Sequence, residues 1–281
     1  MKVSRAMFIG GYRISHACLT LQFDRFLTTK FENTYIFCPR DGASMDRIFK
    51  KYNIDTSNFI YVTDEEMNQR YPETKNWWFD DDRRGSWLYQ QALKLAALDM
   101  IGDDMVLIQD ADAFFIKPYS CIVDGKPNYP VILNETHSPG YYQVLENALG
   151  IERQTPHCFV SEFMPVLRTD WLSLKAALES RNGKHFLDAV IDNVPVESYS
   201  GLRWFSEYEF LGNWVMTQRE VVLTEQKRFE YDQLDQLNNL TYDYDCACDG
   251  IPNLADSIIL DYSTDTITNF EEVFSMVRKF A

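Results

Sequence analysis

The sequence predicts an α/β fold with a mostly parallel central sheet and helices on both faces. Three observations point to it. In the N-terminal half, short apolar runs alternate with amphipathic stretches, the order that builds βα units. Residues 105–108 (Met-Val-Leu-Ile) are apolar without a break, as a strand covered on both faces is. A helical pattern ends at Gly102 just before that run, so the strand follows a helix with only a short connection.

Residues 6–9 form an apolar run closed by Gly10 and Gly11, a strand and its turn. The glycine pair either makes a tight turn or lets the backbone approach a ligand closely. Between residues 16 and 31, Cys18, Leu19, Leu21, Phe23, Phe26 and Leu27 recur at roughly helical spacing. Residues 34–38 read as a strand closed by Pro39-Arg40-Asp41-Gly42, residues 44–52 as a helix and residues 59–62 as another strand. A polar connection from 63 to 84 follows, carrying Trp77, Trp78, Phe79 and the triplet Asp80-Asp81-Asp82. Connections that long inside a domain are often functional. Its aromatics either stack on a sugar or close over a ligand, or else anchor the loop to the core.

Ser86 can cap a helix that runs to about Ile101, with Trp87, Leu88, Ala92, Leu95 and Leu98 near one face. The strand at 105–108 then runs directly into Gln109-Asp110-Ala111-Asp112. Beyond Pro118 the pattern loosens. Residues 131–133, 220–223 and 257–260 resemble strands, while 141–149, 170–179 and 269–280 resemble helices.

Composition narrows the function. Hydrophobic residues make up 46% of the 281, enough for a substantial core. The net charge is −15, from 27 Lys and Arg against 42 Asp and Glu, which disfavours generic binding to nucleic acid or anionic membranes. A bound diphosphate would need neutralising by a metal ion or by a few placed cations. No secretory signal or membrane span is apparent, and the expected compartment is cytoplasmic. The six cysteines, Cys18, Cys38, Cys121, Cys158, Cys246 and Cys248, read as reduced thiols. Cys246-Ala247-Cys248, among Asp243, Asp245 and Asp249, reads as an acidic surface loop, because a structural zinc site usually has two cysteine pairs.

Asp110 and Asp112 carry the chemistry. Side chains two apart on an extended segment point the same way. At the carboxyl end of a buried parallel strand they face the crevice where open α/β sheets bind ligands. Hard carboxylate oxygens suit Mg²⁺ or Mn²⁺, which bridges phosphate oxygens and offsets the charge on a departing nucleoside diphosphate. A bare Asp-x-Asp is also a common turn motif. The apolar strand before it and Phe114-Phe115-Ile116-Lys117-Pro118 after it favour the site reading.

The segments 87–95 (Trp-Leu-Tyr-Gln-Gln-Ala-Leu-Lys-Leu), 107–112 and 115–118 together resemble the GT-A glycosyltransferases. They are most similar to small bacterial and phage proteins with a Gln-Gln helix before an Asp-x-Asp strand, and residues 205–212 resemble the Ser-Glu-Tyr-Glu segment of that group. The resemblance covers roughly residues 5–215 and implies one GT-A (Rossmann-like) domain over residues 1–281. Residues 1–118 would form the nucleotide-sugar half and 119–281 the acceptor-side half.

The activity implied is metal-dependent transfer of a sugar from a UDP- or GDP-sugar to a hydroxyl acceptor: a glycan, a lipid-linked sugar, a protein or, against the acidic charge, a DNA base. By the resemblance, Asp110 and Asp112 hold the Mn²⁺ or Mg²⁺ and the diphosphate, and Ala111 between them lies at the donor. Gly11, Arg13, Pro39, Arg40 and Asp41 line the nucleotide end, and Gln91 and Lys94 face the donor. Arg40 also reads as a surface cation, though its place after a strand favours a ligand role, and Lys94 reads equally as a solvated helix position. Glu207 and Glu209 are acceptor-side candidates for a general base, Glu207 preferred. In a helix, residues two apart diverge, so only one of them enters the cleft. His157 is the candidate third metal ligand, or a structural hydrogen-bonding residue.

Two other functions fit the pattern less well. A haloacid-dehalogenase-type phosphohydrolase also places Asp-x-Asp after an apolar strand, but near the N-terminus and commonly followed by Thr or Val, where this chain has Ala113. A non-catalytic nucleotide-sugar-binding protein would keep the fold and lose turnover.

Overall fold

The computed structural model describes residues 1–9, 14–22, 24–39, 41–78, 85–111, 113–115, 118–134, 138–196, 203–226, 228–231 and 257–260. In chain order it begins β1 (Val3–Phe8), α1 (Ile14–Gln22), β2 (Thr34–Cys38), α2 (Gly42–Lys51), β3 (Phe59–Thr63), α3 (Asp64–Arg70), α4 (Gly85–Met100) and β4 (Met105–Asp110). It continues β5 (Ala113–Phe115), β6 (Ile122–Val123), β7 (Lys126–Val131), α5 (Pro139–Leu149), β8 (Phe163–Leu167) and α6 (Arg168–Asn182). Last come α7 (Phe186–Ile191), α8 (Glu207–Gln218), β9 (Val222–Glu225), β10 (Arg228–Tyr231) and β11 (Ser257–Leu260).

The central sheet has the order β3-β2-β1-β4-β8. Its first four strands pair in parallel, and β8 closes one edge antiparallel to β4. The alternation of strand side chains divides the core into two layers. Ala6, Phe8 and Phe37 pack on one face, with α4, α6, α7 and α8. Met7, Ile9, Ile36 and Cys38 pack on the other, with α1 and α2. Two small sheets, β6-β7-β9 and β10-β11-β5, complete the described structure. Among the described residues no helix is long and apolar enough to cross a membrane.

The topology fixes where a ligand can bind. From β1 the chain steps outward to β2 and β3, then returns through α3 and α4 to place β4 on the other side of β1. That reversal puts the carboxyl ends of β1 and β4 at the switch point of a doubly wound sheet, where such sheets bind ligands. Phe8 and Asp110 lie opposite each other there.

Several elements differ from the sequence expectation. Up to Trp77, the polar stretch after residue 63 is not a loop. Thr63 and Glu66 form a reciprocal capping box that starts α3, and a 3₁₀ helix at Pro72–Trp77 follows. Trp77 is fully buried, edge-on to Phe205 at 5.3 Å, so it is an anchor. Trp78 is 52% exposed and lies edge-on to Tyr89, while Phe79 and Asp80-Asp81-Asp82 lie outside the described residues. Helix α1 stops at Gln22, and a 3₁₀ turn at Asp24–Phe26 brings the Asp24 carboxylate 2.6 Å from the buried Arg5 guanidinium. Ser86 sits in the first turn of α4 rather than before it.

Strand β8 and helix α7 had no counterpart in the sequence reading. Pro165 inside β8 disguises the strand and is tolerated because β8 is at an edge. Cys18, Cys38, Cys121 and Cys158 are buried and outside any disulfide, and burial pushes Cys18 and Cys121 up to about 12. Cys246, Cys248 and the expected helix at 269–280 lie outside the described residues.

Candidate active site

Asp110 ends β4 at the switch point and is 8% exposed. The turn that follows is tied down from three sides. The Asp110 N–H donates to the Glu162 carbonyl at 2.9 Å. Thr20 of α1 donates its hydroxyl to the Ala111 carbonyl at 2.7 Å, and the Gln109 amide donates to the Ala113 carbonyl at 3.0 Å. Main-chain groups of Asp110, Ala111 and Ala113 that cannot reach water are thereby satisfied.

Behind Asp110 lies a buried ammonium. Residues 91–98 of α4 are all buried, so Lys94 has no route to solvent. Its Nζ lies 2.7 Å from one Asp110 carboxylate oxygen and 2.9 Å from the other. It also lies 2.6 Å from Glu207 Oε1 and 4.6 Å from the centre of the Tyr208 ring. The Tyr208 hydroxyl donates to Asp110 at 3.3 Å. Burial, the largest single influence on Lys94, pulls its pKa down, but the combined attraction of Asp110, Glu207 and Glu162 leaves it raised. Lys94 is therefore a fixed cation. Burial pushes Glu207 up to about 6, with Lys94 opposing and Asp110 reinforcing the rise.

Helix α8 presents Glu207 and Tyr208 in its first turn, capped by the Ser206 side chain accepting the Glu209 N–H. Glu209 diverges from its neighbour. Its carboxylate accepts from the Phe159 N–H at 3.1 Å and from the Asn213 amide at 3.0 Å, and burial raises its pKa. In this arrangement Glu209 clamps α8 to the 154–159 segment, and a surface helix is ruled out: residues 207–215 are all buried. The helix approaches so closely that a Cβ on Gly212 would sit 2.3 Å from the Phe159 ring. Gly212→Ala is expected to cost about 1–3 kcal/mol through overpacking, measured as a lower urea midpoint at unchanged m-value.

The other expected site residues are distributed as follows. Gln91 is buried and donates its amide to the Trp87 carbonyl within α4. Asp41 caps α2, accepting from the Ser44 N–H at 2.9 Å, and that bond holds its pKa down. Ala111 is buried, with its carbonyl engaged by Thr20. The solvated alternative for Lys94 is corrected by its burial and ion pairs. His157 accepts from the Asn134 N–H at Nδ1, 3.4 Å away. No group of three His, Cys, Asp or Glu side chains converges among the described residues, so His157 is not gathered with Asp110 into such a set. Gly11, Arg13, Arg40 and Asp112 lie outside the described residues.

Three contributors were not foreseen: Tyr208, Thr20 and Glu162. Tyr208 lies inside the Ser-Glu-Tyr-Glu segment, between two acidic residues. Glu162 adopts a left-handed backbone, φ 66°, which costs a residue of its type about 1–2 kcal/mol. Nothing local in the sequence marks either Thr20 or Glu162.

For a divalent cation, the donor chemistry is what this end of β4 offers. Mg²⁺-type ions are held by one or two carboxylates together with substrate phosphates, not by an all-protein cage. Asp110, with Asp112 two residues on, fits that requirement in kind.

Comparison with known proteins agrees with this architecture. The family model of DUF6492, described as a family of unknown function, matches residues 15–245. No functionally curated protein matches the chain by sequence. Among solved structures, an active-site mutant of LgtC superimposes with a TM-score of 0.50 at 12% identity, covering 98% of this chain and 95% of that one. The galactosyltransferase LgtC with donor and acceptor sugar analogues gives 0.49 at 11% identity, over 98% and 95%. Mouse xyloside xylosyltransferase 1 gives 0.46 at 9% identity, over 92% and 96%. The chain has the mixed α/β, mostly parallel fold of the GT-A glycosyltransferases.

Proposed function

We propose that this chain, which belongs to the DUF6492 family, is a glycosyltransferase that moves a sugar from a nucleoside-diphosphate-sugar to a hydroxyl acceptor. One observation carries the reading. At the switch point of a GT-A sheet, Asp110 is held by a buried Lys94 that also holds Glu207, 113 residues away. Two chain segments so distant in sequence, joined through desolvated charges, make a poor stabilising device. They do make a pre-organised polar site, whose dipoles and charges need not reorient when substrate charge develops.

In this reading Asp110 and Asp112 hold Mg²⁺ or Mn²⁺ at the donor diphosphate. When bound, that ion would neutralise the charge on the leaving nucleoside diphosphate. Lys94 fixes the Asp110 carboxylate and stays protonated throughout. Glu207 orients Lys94 from the other side, and as the preferred base candidate it would take the acceptor proton. Gln91 supports the helix that carries Lys94. A UDP- or GDP-sugar is the donor class, and a glycan or lipid-linked sugar the acceptor class.

The test is release of UDP or GDP from UDP-glucose, UDP-galactose, UDP-N-acetylglucosamine and GDP-mannose, with Mn²⁺ and with EDTA. Metal-dependent release from one donor, above the protein-free rate, is expected. Simple phosphoester hydrolysis without any nucleotide release would overturn the proposal in favour of a phosphohydrolase.

A further inference from the structure

We infer that a cavity at the amino end of the central sheet is a second ligand site, one that binds a neutral saccharide. The inference goes beyond the glycosyl-transfer reading above and does not depend on it.

The cavity lies at the other end of the sheet from Asp110. It holds about 520 Å³ between the starts of β1 and β2, the end of α1 and the 52–59 segment that leads into β3. Small-molecule sites span about 300–1,000 Å³. Arg5 lines it from β1 and Thr34 from β2, and the two are paired in register. Phe8, further along β1, is the residue opposite Asp110. A strand rises about 3.3 Å per residue, so roughly 10 Å of β1 separates the two places.

Arg5 is 2% exposed, yet it forms part of the cavity wall. Its Nη1 donates to Asp24 Oδ1 at 2.6 Å and its Nη2 to the Thr34 hydroxyl at 3.3 Å. Phe31 covers the guanidinium, its ring centre 5.0 Å away. The Nε has no partner among the described residues. Native folds leave few buried donors without acceptors, so an arginine short of them in a cavity wall points to a ligand oxygen there. Acceptors stand beside it. The Asp24 side chain is 35% exposed and gives Arg5 one of its two oxygens. Asn58 donates its amide to the Phe31 carbonyl at 3.4 Å, and Asn53 and Asp55 line the cavity from exposed positions.

A wall that both donates and accepts sets the class of ligand. An anion would answer Arg5 but compete with Asp24, which already holds the same guanidinium. A cation would answer Asp24 and meet Arg5. A hydroxyl accepts from one and donates to the other, with no charge of its own. Between these polar groups the surface is apolar: Phe31, Ile54 and Phe59 line the cavity and are only half-buried. A pyranose presents that combination, with hydroxyls around its edge and C–H groups on its faces. A glycan held here stays on the protein without occupying the site at Asp110.

The experiment is amide NMR on the full chain, titrated with glucose, galactose, N-acetylglucosamine and lactose, and separately with sodium acetate and sodium phosphate. At least one sugar is expected to shift the amides of residues 53–59, and to do so saturably. Asn53→Gly suits the left-handed backbone of Asn53, φ 58°, and removes only the side chain. Asp24→Asn keeps an oxygen for Arg5 and loses the charge. Each is expected to weaken the sugar by about fivefold, the worth of one hydrogen bond, with Asn53→Gly melting close to wild type. Shifts confined to the surroundings of Asp110 and Glu207, or no shift with any of the four sugars, overturn the site. So does a response of residues 53–59 to acetate or phosphate in place of sugar. Two variants that bind sugar as wild type does overturn it as well. Sugar bound at residues 53–59 by a protein that turns over no nucleotide-sugar removes the glycosyl-transfer reading and leaves this site standing.

Discussion

Lys94→Met is expected to lower stability by about 3–5 kcal/mol, because it leaves Asp110 and Glu207 as buried carboxylates without their cation. For a chain of this size that is a fall in Tm of roughly 10 °C. The cause is desolvation rather than lost attraction: the two acids stay largely out of water after losing the ammonium they share. Adding Glu207→Gln to Lys94→Met removes one of the stranded charges and is expected to restore part of the loss, a coupling that a double-mutant cycle reads directly. Urea denaturation checks both. If Lys94→Met unfolds at the wild-type midpoint, the buried ion pairs do not hold this site together.

Asp110→Asn separates chemistry from stability. The amide keeps the shape and one acceptor for Lys94, but its NH2 group takes the place of the other oxygen that faces the ammonium, and Lys94 retains Glu207 as its counter-charge. Stability is therefore expected to fall by about 1–3 kcal/mol, less than for Lys94→Met. Donor turnover is expected to fall on the order of 10²–10³-fold, the range seen when a pre-organised electrostatic group is removed. Nucleotide release under saturating donor, with a melting curve on the same sample, measures the two effects together. Turnover close to wild type would remove Asp110 from the site.

How much of this was legible in the sequence follows from how local each signal is. The strands at 34–38, 59–63 and 105–110 announce themselves as apolar runs between turn residues. Strand β8 does not, because Pro165 interrupts the pattern and the antiparallel edge position that tolerates it is a tertiary fact. Helix α3 buries only Met67, so it shows almost no periodicity, and its start is carried by the Thr63–Glu66 capping box instead. Lys94 could have been read further. It stands alone within Ala92-Leu93-Lys94-Leu95-Ala96-Ala97-Leu98, a helix apolar all round, and a lysine buried in such a helix must be paired. Its partner Glu207 could not have been named, since no pattern spans 113 residues. The sign of φ at Glu162 is likewise not written in the neighbouring residues.

The most direct test of the central claim is a thermal-shift measurement with UDP, GDP, CDP and TDP, with and without Mn²⁺, on wild type and Asp112→Asn. A ligand at 100 times its Kd stabilises a fold by about 2.7 kcal/mol, a shift well within reach. The account predicts that one nucleotide raises Tm only when Mn²⁺ is present, and that Asp112→Asn loses the shift while keeping the unliganded Tm. A wild type that shifts with no nucleotide, or a shift that survives in Asp112→Asn, would contradict it.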